Sequence, residues 1–148
     1  MIQKFFNLEI STNGQKLYNF TEKTNDWIKD NGFKNGILNI SIQHTSASLI
    51  VQENADPDVQ TDLINYFDKL VPMNNKLYVH TVEGKDDMPA HIKSALTNNQ
   101  ISLSVKSGNL LLGTWQGIYL FEHRLEPHKR KLIHLSLIHI SEPTRHCL

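Results

Sequence analysis

Apolar and polar residues alternate from Lys4 to Ile10, with Phe6, Leu8 and Ile10 on one side, and this period of two predicts a strand. Ser11 to Gly14 reads as a turn. Phe20, Thr24, Trp27 and Ile28 then share one helical face, and Asn31-Gly32 is a fitting stop. After a turn at Asn35-Gly36, the alternation returns from Ile37 to Gln43, with Leu38, Ile40 and Ile42 on one face and His44 next in phase. Ser48 to Gln52 is a further strand. A second helix starts at Asp56, a good cap, with Pro57 in the first turn and an apolar stripe of Val59, Leu63, Tyr66, Phe67 and Leu70. Leu77 to Val82 reads as a short strand. Pro89 opens a shorter helix with Met88, Ile92 and Leu96 stacked on one side. Strands follow at Ile101–Val105, Leu110–Leu112 and Ile118–His123, the last two split by Gly113-Thr-Trp-Gln-Gly117, and a final strand runs from Lys131 to Leu135. Many strands with about three intercalated helices predict a single α+β domain with mostly antiparallel sheets.

The end of the chain breaks this pattern. Leu135 to Arg145 resembles the translation of a sequencing adapter, and Pro143 interrupts any element begun there. The expected organisation is a domain over residues 1–136 and a tail over 137–148 that adds nothing to the core, with Ile138 and Ile140 the only residues able to add briefly to a strand edge.

Composition changes this picture little. The 148 residues suit one domain, which at this size needs neither disulfide nor structural metal. Fifteen basic residues balance fifteen acidic ones, so charge gives no sign of nucleic-acid binding. No run approaches the roughly 18 apolar residues of a membrane span, and the N-terminus lacks a signal-peptide plan, so the expected location is cytoplasmic, away from membranes. The only cysteine, Cys147, excludes an intrachain disulfide framework.

Eight histidines matter more. His44, His80, His91 and His123 fall at element ends in polar surroundings. Imidazole is the commonest protein ligand for zinc, so these can converge on a metal, or they can be core-edge residues held by backbone carbonyls. Asp87 lies four residues before His91 on the same helical face, where it can orient the imidazole or simply cap the helix. Glu83, Asp86 and Asp87 form an acidic stretch that can hold Mg²⁺ or be a solvated turn. Thr45 and Ser46 can bind phosphate oxygens or serve turn chemistry. In Gly113-Thr-Trp-Gln-Gly117, Trp115 can stack on a heteroaromatic ring and Gln116 read its edge, or the segment can be a bulge around a core tryptophan.

Taken together, His44-Thr-Ser-Ala-Ser48, Glu53-Asn-Ala-Asp-Pro57, Glu83-Gly with Asp86-Asp-Met-Pro-Ala-His-Ile-Lys93, and Gly113-Thr-Trp-Gln-Gly-Ile-Tyr-Leu120 with Glu122-His-Arg124 resemble the YjbQ-like family, also called secondary thiamine-phosphate synthases. The resemblance spans nearly the whole chain. It implies a compact α+β homotrimer with a shared histidine site for a divalent metal, zinc or magnesium. It also implies a side activity joining a pyrimidine-methyl diphosphate to a thiazole phosphate. On that basis His44, His91 and His123 are the expected ligands, and His80, Glu83 and Asp87 the expected catalytic groups. Thr45, Ser46, Lys93, Thr114, Trp115, Gln116 and Arg124 are expected to meet a small phosphorylated substrate. A non-catalytic protein that binds a metal or small molecule in the same pocket is the alternative.

Overall fold

The computed structural model describes residues 1–139. Eight strands and three α-helices alternate along the chain: β1 (Phe5–Asn13), β2 (Lys16–Asn19), α1 (Thr21–Asp30), β3 (Asn35–Ile42), β4 (Ala47–Glu53), α2 (Pro57–Leu70), α3 (Asp87–Leu96), β5 (Gln100–Lys106), β6 (Asn109–Leu110), β7 (Gln116–Glu122) and β8 (Pro127–His139). All named pairings are antiparallel. A five-stranded sheet runs β1-β8-β3-β5-β6, and a three-stranded sheet runs β2-β7-β4. The expected α+β class with antiparallel sheets is what the chain adopts.

The main core lies between the sheets. Leu8 and Ile10 of β1, Leu38, Ile40 and Ile42 of β3, and Leu132 of β8 face Leu49 of β4 and Ile118 and Leu120 of β7, with Phe20, Ile28 and Phe33 closing the side next to α1. The alternation read from the sequence for β1 and β3 selects the buried residues correctly, because a period of two puts every second side chain on the core face. On β7 the other face is buried too. Tyr119 and Phe121 pack with Leu17 against Leu63, Ile64 and Phe67 of α2. A strand covered on both faces reads as an unbroken apolar run, as Ile118 to Phe121 does.

Both well-signalled helices have the expected ends. Asp56 caps α2 through a bond from the Asp58 amide, and Gly32 takes a positive φ of 64° just past α1.

Three expectations need correction. Leu77 to Val82 is not a strand. Asn74 caps a single 3₁₀ turn at Asn75–Leu77, and the following segment pairs with no sheet, leaving Val79 and Val82 fully exposed. The apolar stripe of α3 does not face the core: Met88 and Ile92 are half-buried and Leu96 is exposed, whereas Asp87, Pro89, Ala90 and Lys93 are buried. Tertiary ion pairs override the amphipathic pattern here.

The last strand extends past Leu135, so the domain does not stop at residue 136. Ile138 is 2% exposed, belongs to the main core, pairs with Gly36 and bridges to Ile2. Gly36 permits this approach, since a Cβ there would run into the Leu137 carbonyl and the Ile138 backbone. The inward positions of β8 include His134 and Ser136, which bond Thr24 and Lys4 respectively. These polar residues interrupt the apolar pattern and hide the strand in the sequence. The remainder of the expected tail, residues 140–148, lies outside the described residues.

Candidate metal centre

The Asp87–His91 spacing puts both side chains on one face of α3, and the loop before α3 brings His80 to the same point. His80 Nε2 lies 2.6 Å and His91 Nε2 3.1 Å from Asp87 Oδ2. A ligand atom from each of the three residues lies within 4.8 Å of the others. Asp87 is almost buried, at 3% side-chain exposure, while His80 and His91 keep 41% and 32%. The cluster therefore has a rigid carboxylate floor and two solvent-facing imidazoles.

Neighbouring groups fix its orientation. Arg124, just beyond β7, donates from Nη1 to Asp87 Oδ1 at 2.6 Å, from Nε to Asp86 Oδ2 at 2.9 Å, and from Nη2 to the Glu83 carbonyl at 3.0 Å. The Leu125 amide also donates to Asp86. Burial alone would push the Asp87 carboxyl up. The His80 hydrogen bond and the Arg124 charge outweigh it and hold Asp87 below the usual carboxylate range. Asp86 is likewise held down, its burial outweighed by the Leu125 amide and Arg124.

The tautomer of His91 follows from its partners. Nδ1 lies 3.0 Å from the Thr45 carbonyl, which can only accept, so Nδ1 carries a proton. In the neutral ring Nε2 is then a lone pair, and it faces Asp87 Oδ2, also an acceptor. Two acceptors at this separation call for a cation between them, either a proton on Nε2 or a metal ion.

The other expected ligands sit elsewhere. His44 lies beyond the end of β3, where its Nε2 accepts from the Lys131 amide at 2.9 Å, and its ring lines a cavity together with His91. His123 is 1% exposed. Its Nε2 meets Ser48 Oγ at 2.8 Å, and its Nδ1 has no partner among the described residues. Burial, with help from Lys93 and Arg130, pushes its pKa down to about 3. His123 is thus a neutral core residue on the α2 side of β7, and the described chain does not bring it to His91.

The expected substrate contacts are also dispersed. Lys93 is buried and bonds Asp68 of α2 at 2.6 Å, so its ammonium points inward and is not free for phosphate. Arg124 is committed to Asp86 and Asp87. Thr45 is exposed and serves through its carbonyl, and Ser46 is buried with its carbonyl accepting from Arg130. Glu83 also acts through its carbonyl, receiving Arg124. Thr114, Trp115 and Gln116 stand at the start of β7, whereas Arg124 follows its end. Seven residues at about 3.3 Å each separate them by roughly 20 Å within one chain. Trp115 is exposed, and Gln116 Oε1 accepts from the Gly113 amide.

Besides the pairs of Arg124 with Asp86 and Asp87, sequence reasoning missed two ion pairs outside the cluster. Glu122 and Arg130 form a fully buried pair to which the Thr12 hydroxyl and the His123 amide also bond. Lys93 and Asp68 form the other. The signal was present for the first: Glu122 occupies an inward position by the same alternation that buries Ile118 and Leu120.

A family model described as UPF0047 protein YjbQ-like matches residues 6–139. A UPF0047 protein of Synechocystis sp. is 49% identical over 134 residues, covering 90% of this chain and 88% of that protein. The YjbQ protein of Salmonella typhimurium is 50% identical over 98 residues, covering 66% of this chain and 70% of that one. Among solved structures, a conserved hypothetical protein from Thermus thermophilus superimposes with a TM-score of 0.78 at 31% identity, covering 86% of this chain and 97% of that one. A YjbQ/UPF0047 protein from Clostridium acetobutylicum gives 0.78 at 30% identity, with 90% and 99% covered.

Proposed function

This chain belongs to the UPF0047 family of YjbQ-like proteins, and we propose that it is a metal-assisted enzyme whose divalent ion is held by His80, Asp87 and His91. The observation that carries this reading is the pair of acceptors, His91 Nε2 and Asp87 Oδ2, 3.1 Å apart, with Nδ1 of the same imidazole committed to the Thr45 carbonyl. A backbone carbonyl behind a ligating histidine and an arginine behind a ligating carboxylate are the usual outer supports of a metal site. Two imidazoles and one carboxylate suit zinc better than magnesium, which prefers oxygen ligands, and three protein ligands leave a coordination position open. When bound, such an ion supplies Lewis acidity toward a phosphoryl oxygen. The protein's own part is to hold Asp87 ionised and His91 in one tautomer.

The reaction to assay first is the joining of a pyrimidine-methyl diphosphate to a thiazole phosphate. A second reading, non-catalytic metal or small-molecule binding, is favoured by one feature: Lys93 and Arg124 are already paired, which leaves little fixed cationic charge for a phosphorylated substrate. Homotrimer assembly is part of the proposal. Its support is the exposed apolar set of Val79, Val82 and Leu96, beside the cluster in sequence. A cytoplasmic setting is also proposed. Among the described residues no helix is long and apolar enough to cross a membrane, and the balanced charge supports a role without nucleic acid.

Elemental analysis tests the metal. Purified protein should carry stoichiometric zinc or take it up on titration, and Asp87→Asn should lose it. Wild-type protein that binds no divalent ion would overturn the reading. Metal uptake without turnover of the two phosphorylated substrates would favour the non-catalytic alternative. Sedimentation showing a monomer at micromolar concentration would remove the trimer.

A further inference from the structure

A cavity of about 250 Å³ lies beside the cluster, lined by His44, Thr45, His91, Ser94, Ala95 and Asn99. Its size is below the roughly 300–1,000 Å³ of a typical ligand pocket, so it suits a phosphoryl-sized group or a single ring. His91 is shared between the cavity and the cluster. The cavity's other histidine, His44, has its protonation pattern set by the backbone. The Lys131 amide donates to His44 Nε2 at 2.9 Å, which requires a lone pair there. The ring is therefore neutral, and its proton sits on Nδ1. That N–H has no partner among the described residues, and it is not one of the buried unpartnered atoms.

We infer that His44 is a fixed, neutral hydrogen-bond donor that orients a phosphoryl oxygen of the ligand occupying the cavity it shares with His91. The inference deepens the metal reading and relies on it for the ligand's second anchor. Four observations support it. The amide of Lys131 cannot donate to a protonated Nε2, so the ring cannot become an imidazolium without breaking a backbone contact. Burial, followed by the charge of Arg130, holds the ring below the usual histidine range, with Glu122 opposing and Lys131 and His128 assisting. Among the charged groups around it, Arg130 is neutralised by its pairing with Glu122, which leaves the exposed Lys131 as the cation that favours an anionic oxygen. Ser94 already donates to the Ala47 carbonyl, which leaves His44 as a donor the cavity can offer. A neutral imidazole held as an N–H donor is a known way to polarise an oxygen without transferring a full charge.

The test uses full-length protein labelled with ¹⁵N at histidine, with inorganic phosphate as the probe. Long-range ¹H–¹⁵N correlation at neutral pH should find His44 protonated at Nδ1 and bare at Nε2. Phosphate added to zinc-loaded protein should shift the His44 Nδ1 signal. In His44→Met, the thioether can still accept weakly from the Lys131 amide, and the side chain has no donor. Phosphate affinity should fall about tenfold, the scale of one lost hydrogen bond to a charged group, while zinc content stays constant. A His44 found protonated at Nε2, or a phosphate affinity unchanged in His44→Met, would overturn the inference. Zinc uptake is scored separately. Its absence would overturn the metal reading, whereas a phosphate-responsive Nδ1–H signal in zinc-free protein would still support the donor.

Discussion

Asp87 is the residue on which the cluster turns, because one oxygen faces both imidazoles and the other is held by Arg124. Two substitutions separate these tasks. Asp87→Asn removes the charge that a cation between the imidazoles requires, so metal binding should be lost outright. Arg124→Gln leaves every proposed ligand in place but frees Asp87 Oδ1, and metal affinity should fall about 10- to 100-fold, as for other outer-shell losses. Competition with a chelator of known affinity would measure both. Equal affinity in Arg124→Gln and wild type would mean that the ion pair does not position the carboxylate. The Glu122–Arg130 pair should behave differently. Its members are 0% and 3% exposed, so Arg130→Met would strand a buried carboxylate at a cost of about 3–5 kcal/mol. Chemical denaturation would show that loss, whether or not metal is present.

Strand β8 and helix α3 both depart from their sequence patterns, for related reasons. On β8, His134 and Ser136 occupy inward positions, so the apolar alternation is broken before Ile138. Yet β8 lies between β1 and β3, and its last paired residues hold Ile2 and Gly36 in place. Ile138→Ala should therefore destabilise the domain by about 2–5 kcal/mol, the range for a truncated core side chain. A change below about 0.5 kcal/mol would show that residues past 136 are dispensable. On α3, ion pairs at Asp87 and Lys93 turn the polar face inward, leaving Leu96 exposed. Leu96→Gln should accordingly change protomer stability by no more than about 0.5 kcal/mol. If assembly covers this face, the same variant should raise the protein concentration needed for self-association, which sedimentation would detect.

Across the whole molecule, pH acts mainly through two deeply buried histidines, with the partly buried His44 adding in the same direction. His123 is pushed down to about 3 and His134 to about 4, in both cases mainly by burial. In the unfolded chain each titrates near its ordinary value of 6.5. Between those limits the unfolded state binds more protons, so stability falls as pH drops below about 6.5. Each histidine contributes a slope of roughly 1.4 kcal/mol per pH unit there. Together they should remove on the order of 4 kcal/mol between pH 7 and pH 5. Asp86 and Asp87 add to acid sensitivity only at lower pH, since their carboxyls are held below the usual value. Urea titrations at the two pH values would measure the difference, and His134→Leu should reduce it by about half. Equal stability at pH 5 and pH 7 would mean that both rings accept protons inside the native fold.

The strands and helices were largely legible in the chain because alternation and helical stripes record how a backbone exposes its side chains. Phe6 to Ile10, Leu38 to Ile42, the Asp56 cap and the doubly buried run in β7 all state their structure locally. The Asp87–His91 pair was legible for the same reason, since four residues on a helix span about one turn. The remainder of the site was not. His80 reaches Asp87 from a segment with no regular structure, and His44 and His91 share a cavity only because the Thr45 carbonyl meets α3. His123 looked equivalent to them in sequence, but it lies on the α2 side of β7 with its ring buried against Ser48. Trp115 and Arg124 bracket the same strand and are held apart by its length. The sequence by itself determined the periodic elements, the α+β class and the inventory of chemical groups. Only the tertiary structure decided which groups meet, because strand pairing brings together residues such as Ile2 and Ile138 from opposite ends of the described chain, and no local pattern encodes that approach.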